Sequence, residues 1–390
     1  MDFEITEEQS MLVETARRVG SKFGLDYWRE CDATKSYPAA FWQAVCNAGL
    51  SGIAVPEEFG GSGLGMASMA MAIETLCAAG GGSTLSQLFM CNPIFGGITV
   101  AKFGTPDMKS ELLPALISGE ATFCMALTEP DAGTNSLALS TFARADGDGW
   151  RLNGQKIWIT CVPQATKMLV VARTKRAEDC ARKTDGISLF LIDVERAGLT
   201  HQAIDKVGTL TLPSSAVFFD DVKIEAHELL GTLDQGWHSL LEVLNTERIV
   251  TTAGLVGTAE LAVRLAVDYS KERKVFGKVP IGAYQGLQFP LAEAHMELEC
   301  ARLMNHKAAT LHDEGKVYSS PANTAKWLAG KAAATATDRA IQTMGGMGYS
   351  KEFHVERLWR DARLFRVAPV SEEMILNFVA QHDLQMPRSY

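Results

Sequence analysis

The chain has 390 residues, enough for two or three domains with a substantial core. Hydrophobic residues make up 47% and charged residues 21%, as in an ordinary globular protein. The net charge of -9 argues against a general nucleic-acid-binding protein, and without a run of eighteen apolar residues no membrane span is expected. The acidic N-terminus lacks the layout of a signal peptide, and the eight cysteines contain no C-x-x-C pair. We therefore expect a cytoplasmic protein without a disulfide framework or a metal site.

Residues 1–120 are predicted to form an N-terminal helical domain. The segment Thr6–Gln9 has the pattern of a capping box and should open a helix. Tyr37-Pro38 precedes a second run of apolar residues at helical spacing. Met66 to Ala79 consists almost entirely of Met, Ala, Ile and Leu, which indicates a buried helix.

The periodicity changes between residues 121 and 235, which we interpret as a central β domain. Short apolar runs alternate with turn residues and have no helical stretch between them, which predicts a small barrel or sandwich. Asn153-Gly154 is the strongest short hairpin signal and predicts a turn inside residues 150–160. Further predicted strands are Thr122–Leu127, Met168–Ala172, Ile187–Ile192 and Ala216–Phe219.

The helical pattern returns in residues 236–390. Long amphipathic stretches joined by short connections predict a four-helix bundle. These stretches are Ser239–Tyr269, Gly286–Glu314, Asn323–Met344 and Val370–Gln381. The order of helical, β and helical segments is an α+β arrangement.

Two motifs carry the clearest chemical signal. Leu127–Ser136 reads L-T-E-P-D-A-G-T-N-S, a turn that presents backbone N–H groups and hydroxyls to a ligand. Asn153–Thr160 reads N-G-Q-K-I-W-I-T. Each alone is compatible with an ordinary loop or strand, but together they resemble the flavin-binding core of the acyl-CoA dehydrogenase family. The resemblance covers essentially the whole chain and implies the acyl-CoA dehydrogenase fold with FAD as the cofactor.

The resemblance assigns one group of residues to the flavin within the subunit. Those expected to line or cover the ring are Met125, Leu127, Thr128, Trp158 and Thr160. Gly133 and Thr134 are expected on the pyrophosphate side, with Thr134 also on the approach of the substrate.

A second group is expected to reach FAD from a neighbouring subunit or along its adenine side. The R-x-x-F-G…P-I-x-x-x-Q segment supplies Arg273, Phe276 and Gln285, although Val279 is an extra residue within it. The Q-x-x-G-G-x-G segment supplies Gln342, Gly345 and Gly346, and Ser371 is the last cofactor candidate. A site built across subunits implies a homo-oligomer, usually a dimer of dimers.

The catalytic base is not where many relatives carry it. In those relatives a Glu stands nine residues after the Arg of an R-D-x-x motif, but here Pro369 follows Arg360 at that distance. Long-chain and isovaleryl-CoA dehydrogenases place the base just before an Arg, in a segment resembling Leu244–Arg248, and this position is Glu247. A Glu on an apolar helix face is desolvated, which should raise its pKa. The alternative is a Glu at the edge of the stripe, paired with Lys or Arg.

Substrate contacts are less well marked in the sequence. Leu210 replaces the Arg of the family's G-W-R-G-S segment, and Ser214 is the hydroxyl that remains there. Asn245 and Arg248 lie one helical turn apart and are candidates for orienting the acyl-CoA. Glu372 and Glu373 are expected to be charges at a helix N-terminus.

The leading hypothesis is an FAD-dependent acyl-CoA dehydrogenase. A Glu would remove the α-proton while the β-hydrogen leaves as hydride to flavin N5, giving a 2-enoyl-CoA, and electrons would pass to an electron-transferring flavoprotein. An enoyl-CoA reductase of the crotonobetainyl-CoA type would run this chemistry backwards. A flavin-dependent monooxygenase on the same fold and a catalytically silent, partner-binding subunit are further alternatives.

Overall fold

Helix capping and apolar spacing organise the first domain of the computed structural model, which describes residues 4–388. The Thr6 hydroxyl accepts the Gln9 N–H while the Gln9 side chain bonds back to the Thr6 N–H, so the predicted capping box opens the first helix. Residues 1–3 and 389–390, which the predicted domains include, lie outside the described residues. The helices are α1 (Glu7–Ser21), α2 (Leu25–Thr34), α3 (Ala39–Asn47), α4 (Gly65–Leu76), α5 (Ser83–Phe89), α6 (Thr99–Phe103) and α7 (Pro106–Ser118).

The central domain is one mixed sheet that curls around its own apolar core. Its strands are β1 (Phe123–Ala126), β2 (Phe142–Asp146), β3 (Gly149–Thr160), β4 (Lys167–Arg173), β5 (Ile187–Asp193), β6 (Leu199–Ile204), β7 (Ser214–Ile224) and β8 (Leu229–Leu230). They pair in the order β6-β7-β3-β2-β4-β5-β8, with β1 parallel to β4. Ala126, Val170, Phe190 and Val217, from four different strands, share the inner core. The opposite face of β4 packs on the N-terminal helices through Leu169.

The predicted turn at Asn153-Gly154 is wrong, because β3 runs straight through both residues. The strand is held by β2 on one side and by β7 on the other, and this long pairing overrides the local turn preference. Gly154 is needed there for another reason: its φ is +148°, and a Cβ would come within 2.6 Å of Thr141. The pairing with β7 shifts register at this point, as in a β-bulge. The β2–β3 turn lies instead at Gly147, as Asp146-Gly147 predicts.

The C-terminal domain is built on three long helices. The helices are α8 (Gly236–Glu272), α9 (Gln285–Asp313), α10 (Ser319–Met344), α11 (Val355–Leu364) and α12 (Glu372–Phe378). Of these, α11 is absent from the sequence prediction. Among the described residues, α8 is the one helix long and apolar enough to cross a membrane, but 83% of its apolar window is buried inside the protein. It is the central core helix, and Leu255, Val256 and Leu261 pack from it against α9 and α10.

Candidate functional site

The two sequence motifs lie side by side. The carbonyl of Thr128 accepts the Ile157 N–H at 2.8 Å. The Lys156 ammonium donates to the Leu127 carbonyl at 2.8 Å and lies 2.9 Å from a carboxylate oxygen of Glu129. The end of β1 and the middle of β3 are therefore fastened together beneath the Leu127–Ser136 loop.

Glu129 and Lys156 form a buried ion pair that the sequence analysis missed. The two carboxylate oxygens of Glu129 also accept the N–H groups of Ser140 and Thr141 and the Ser140 hydroxyl. Burial would raise the pKa of Glu129, but the charge of Lys156 and these hydrogen bonds outweigh it and hold the pKa at about 2. The loop is thus fixed by a carboxylate that stays ionised at neutral pH.

Trp158 stands out on β3 because it is both strained and exposed. Its φ is +64°, a left-handed conformation that bulky residues rarely adopt, and it lies where the pairing with β7 shifts register again. Its side chain is 54% exposed. A bulge of this kind re-aims a side chain out of the pleat. The exposed indole is therefore accessible to a ligand, and Thr160 lies two residues further along the same strand.

Three of the predicted glycines border open space. A Cβ added at Gly133, Gly345 or Gly346 would meet no protein atom within 4 Å. Gly345 has a φ of +61°, which favours glycine by itself, whereas Gly133 and Gly346 have no such backbone requirement. Packing within the subunit does not explain why Gly133 and Gly346 lack side chains.

Glu247 lies on α8 and is 3% exposed. Its Oε2 atom is buried and has no hydrogen-bond partner among the described residues. Burial raises the pKa of Glu247 to about 7, although the neighbouring Arg248 and Lys326 charges act in the opposite direction. This carboxylate is therefore close to the balance between accepting and releasing a proton at neutral pH.

Cys91 connects the surroundings of Glu247 with those of β3. The pKa of its thiol is raised by a hydrogen bond with Cys161, by burial and by nearby charges that include Glu247. Cys161 directly follows Thr160 at the end of β3. Met125 and Leu127 pack around the same apolar cluster as Leu244, one turn before Glu247 on α8. The helix turn that carries the candidate base and the motif side chains therefore border the same apolar cluster.

Arg248 is turned toward its own helix. A guanidinium N–H donates to the Asn245 side-chain oxygen, while the Arg248 Nε is buried without a partner among the described residues. Burial lowers the pKa of Arg248, and Glu247 acts against this effect. The two predicted substrate-orienting residues are therefore joined to each other beside Glu247.

A different set of predicted residues lies at the opposite end of the bundle. Arg273 directly follows the last residue of α8, and a rise of 1.5 Å per residue puts it about 39 Å from Glu247. Tyr269 near this end contacts the ring of Phe353, which follows α10, so Gln342 to Gly346 belong to the same end. Arg273 and Gln285 are exposed, and Phe276 is fully exposed. One subunit does not bring these residues to Glu247.

The remaining predicted residues have partners within the fold. The Ser371 hydroxyl caps α12 by accepting the Met374 N–H at 3.3 Å. The Ser214 hydroxyl is buried opposite Thr160 and accepts from the Lys206 ammonium at 2.9 Å. Glu372 begins α12, as predicted, and forms a bidentate ion pair with Arg366. The R-D-x-x motif joins domains: Arg360 bonds Asp32, and Asp361 accepts from Thr84 and the Thr209 N–H.

These features are compatible with a flavoprotein site. An exposed tryptophan, a fixed loop of hydroxyls and backbone N–H groups, and glycines that border open space fit a flavin nucleotide. Comparison with known protein families agrees: the acyl-CoA dehydrogenase N-terminal, middle and C-terminal domains match residues 6–120, 124–222 and 234–384.

Individual relatives span the whole chain. The acyl-CoA dehydrogenase FadE12 of Mycobacterium tuberculosis is 39% identical over 387 residues, 99% of this chain and 98% of FadE12. The 3-(aryl)acrylate reductase of Clostridium sporogenes is 31% identical over 97% of this chain and 99% of its own. The glutaryl-coenzyme A dehydrogenase in complex with glutaryl-CoA superposes with a TM-score of 0.95 at 30% identity, covering 100% of this chain and 98% of that one. The chain belongs to the acyl-CoA dehydrogenase family and is an FAD-dependent oxidoreductase of the CH–CH class.

Proposed function

We propose that this protein is an acyl-CoA dehydrogenase in which Glu247 removes the α-proton of the thioester. The observation that carries the proposal is the buried Glu247 carboxylate, with an unpartnered oxygen and a pKa of about 7. A base works best when its pKa lies near the working pH. Bound FAD supplies the acceptor for the β-hydride. Loss of the proton and the hydride converts the acyl-CoA into a 2-enoyl-CoA.

The other candidate residues are proposed to hold the flavin and to orient the acyl-CoA. Trp158 and Thr160 would cover the flavin, while Met125, Leu127 and Thr128 would line its edge. The Glu129–Lys156 ion pair supports this role because it fixes both segments from below. Arg248 and Asn245 would position the acyl-CoA beside Glu247, and Thr134 and Ser214 are further proposed substrate contacts. Pro369 offers no proton acceptor, so the role falls to α8.

The FAD site is proposed to be shared between copies of the chain. Arg273 lies about 39 Å along α8 from Glu247, which suggests that it serves the site of a neighbouring copy. It would act at the cofactor together with Phe276, Gln285, Gln342, Gly345, Gly346 and Ser371. An apolar stripe on α9 fits such an assembly, because Phe289, Met296 and Leu303 recur every seven residues and are each more than half exposed. We propose a homotetramer on this basis.

Electrons are proposed to leave through an electron-transferring flavoprotein in the cytoplasm. The eight cysteines are all free, in keeping with a reducing compartment. The reverse reaction is a second candidate, because one full-length relative is a 3-(aryl)acrylate reductase. In the dehydrogenase direction an acyl-CoA bleaches the flavin. In the reductase direction an enoyl-CoA restores the colour of the reduced flavin.

The experiment is anaerobic flavin bleaching over a panel of short, long and branched acyl-CoAs. Wild-type protein should bleach with at least one acyl-CoA, and Glu247→Gln should retain FAD but lose bleaching. Glu242→Gln is the matched control, since Glu242 lies on the same helix but is an exposed ion-pair partner of Lys102. Bleaching of Glu247→Gln at the wild-type rate would remove the base assignment. Oxidation of the reduced protein by an enoyl-CoA, with no bleaching by any acyl-CoA, would select the reductase.

A further inference from the structure

Lys326 is a completely buried lysine that the proposed reaction does not yet use. It lies on α10, is 0% exposed, and donates one hydrogen bond, to the Val370 carbonyl at 2.5 Å. It donates no other hydrogen bond to any described residue. Burying an ammonium group is costly unless a negative charge compensates it. A buried Lys326 ammonium therefore requires a carboxylate near it.

Four charged groups act on Lys326: Glu372 and Glu373 of α12, and Arg248 and Glu247 of α8. Glu372 is already held by two N–H groups of Arg366, and Glu373 is exposed. Of these three carboxylates, Glu247 is the one that is buried with an unpartnered oxygen, and the cations that act on it are Arg248 and Lys326.

Geometry places Lys326 and Glu247 on adjoining helices: the Tyr318 hydroxyl, just before α10, donates to the Glu242 carbonyl at 3.4 Å, so the start of α10 lies beside the turn of α8 that precedes Glu247. The cations that act on Glu247 are Arg248 of its own helix and Lys326 of α10, and the buried thiol of Cys91, in the segment after α5, interacts with it electrostatically. A hydrogen bond with Cys161 and burial raise the pKa of that thiol well above its ordinary value, so Cys91 stays neutral and adds no charge. Arg248 in turn interacts electrostatically with Tyr318 and donates a hydrogen bond to the Asn245 side-chain oxygen.

We propose that Lys326 is a positioning residue of the reaction: it ties the Val367–Ser371 segment to α10 and supplies the counter-charge that keeps Glu247 ionised as a base. The segment it ties includes Pro369, the position where many relatives carry their own base. Here that segment contributes no carboxylate, and its Val370 carbonyl instead anchors a cation in the same buried region as Glu247. This inference rests on the proposed function of Glu247.

The test is the pH dependence of single-turnover flavin bleaching in Lys326→Met and Lys326→Gln. Both variants remove the charge, while the Gln amide retains an N–H donor for Val370. Loss of an opposite charge should move the midpoint of the acid limb upward by about one pH unit. The rate should then fall about fivefold at pH 7 and recover toward the wild-type rate at pH 9, where Glu247 is ionised in either case. Lys326→Arg should restore the wild-type midpoint.

Lys331→Met is the control, because Lys331 lies on the same helix but is exposed above the Trp327 ring. An unchanged midpoint in a neutral Lys326 variant that keeps its FAD would overturn the inference. A rate that falls equally at every pH would also overturn it, since that pattern belongs to a purely structural lysine. Should Lys326→Met fail to fold, Lys326→Gln decides, and if both fail, an altered midpoint in Lys326→Arg counts against a role for charge alone. Failure of the proposed function is seen separately, as bleaching that survives Glu247→Gln.

Discussion

The Lys156 ammonium lies 2.9 Å from the Glu129 carboxylate, and both side chains are buried beneath the Leu127–Ser136 loop. Removing one partner leaves an uncompensated charge in the interior. We therefore expect Lys156→Met to lower the free energy of unfolding by about 3–5 kcal/mol, measured by urea denaturation. Lys167→Met on β4 of the same sheet is the control, because its partner Asp193 is half exposed and the expected loss is about 0–1 kcal/mol. Equal losses in the two variants would contradict the assigned role of the buried pair.

Trp158 should matter to the cofactor and not to the fold. Its φ of +64° is one that glycine adopts without cost, so Trp158→Gly relieves strain while removing the exposed indole. We expect the unfolding free energy of the cofactor-free protein to change by less than about 1 kcal/mol, while the Kd for FAD rises about tenfold. Isothermal titration of the cofactor-free protein with FAD measures this. An unchanged Kd would remove Trp158 from the site.

Alanine substitutions at Gly345 and Gly346 should distinguish the effect of backbone strain on stability from the effect of ligand contact on FAD binding. Both border open space, but only Gly345 has a positive φ. Gly346→Ala should leave the unfolding free energy unchanged and weaken FAD binding, because the added methyl group would meet the nucleotide. Gly345→Ala should additionally lose about 1 kcal/mol of stability. Normal FAD binding by Gly346→Ala would show that the cofactor does not approach this turn.

The distance between Glu247 and Arg273 predicts complementation between defective subunits. Glu247→Gln and Arg273→Met should each be nearly inactive when pure. Unfolding and refolding them together in equal amounts should restore about a quarter of the wild-type sites, because half of the random pairs are mixed and one of their two sites is intact. No recovery, in a mixture shown to contain hybrid oligomers, would place Arg273 and Glu247 in the same subunit's site.

Much of the fold is predictable because it is locally encoded. The capping box at Thr6, the helical spacing after Tyr37-Pro38 and the apolar runs of β4 and β5 all act within a few residues. The error at Asn153-Gly154 has the opposite origin: strands on both sides of β3 decide its course, and these contacts come from distant parts of the chain. Local turn preference was the weaker effect.

The candidate site likewise combines features encoded in short segments with features set by distant contacts. The motifs Leu127–Ser136 and Asn153–Thr160 are readable as short patterns, and the apolar face around Glu247 predicted the direction of its pKa shift, which the structure bears out. The Glu129–Lys156 pair joins residues within both quoted motifs, yet nothing in either motif indicates a partner in the other. Lys326 stands in an alanine-rich helix as an apparently ordinary lysine. Its burial depends on how α10 packs beside α8 and the Val370 carbonyl, which no local pattern encodes.

The most direct measurement is the rate of anaerobic flavin bleaching in one turnover, followed from pH 5 to pH 9 with the best acyl-CoA of the panel. A base with a raised pKa is ionised only above it, so the wild-type rate should climb with pH around a midpoint of about 7. Glu247→Gln should be slower by at least about a hundredfold and should lose this dependence. A Glu247→Gln protein that bleaches at the wild-type rate with the same midpoint would contradict the account.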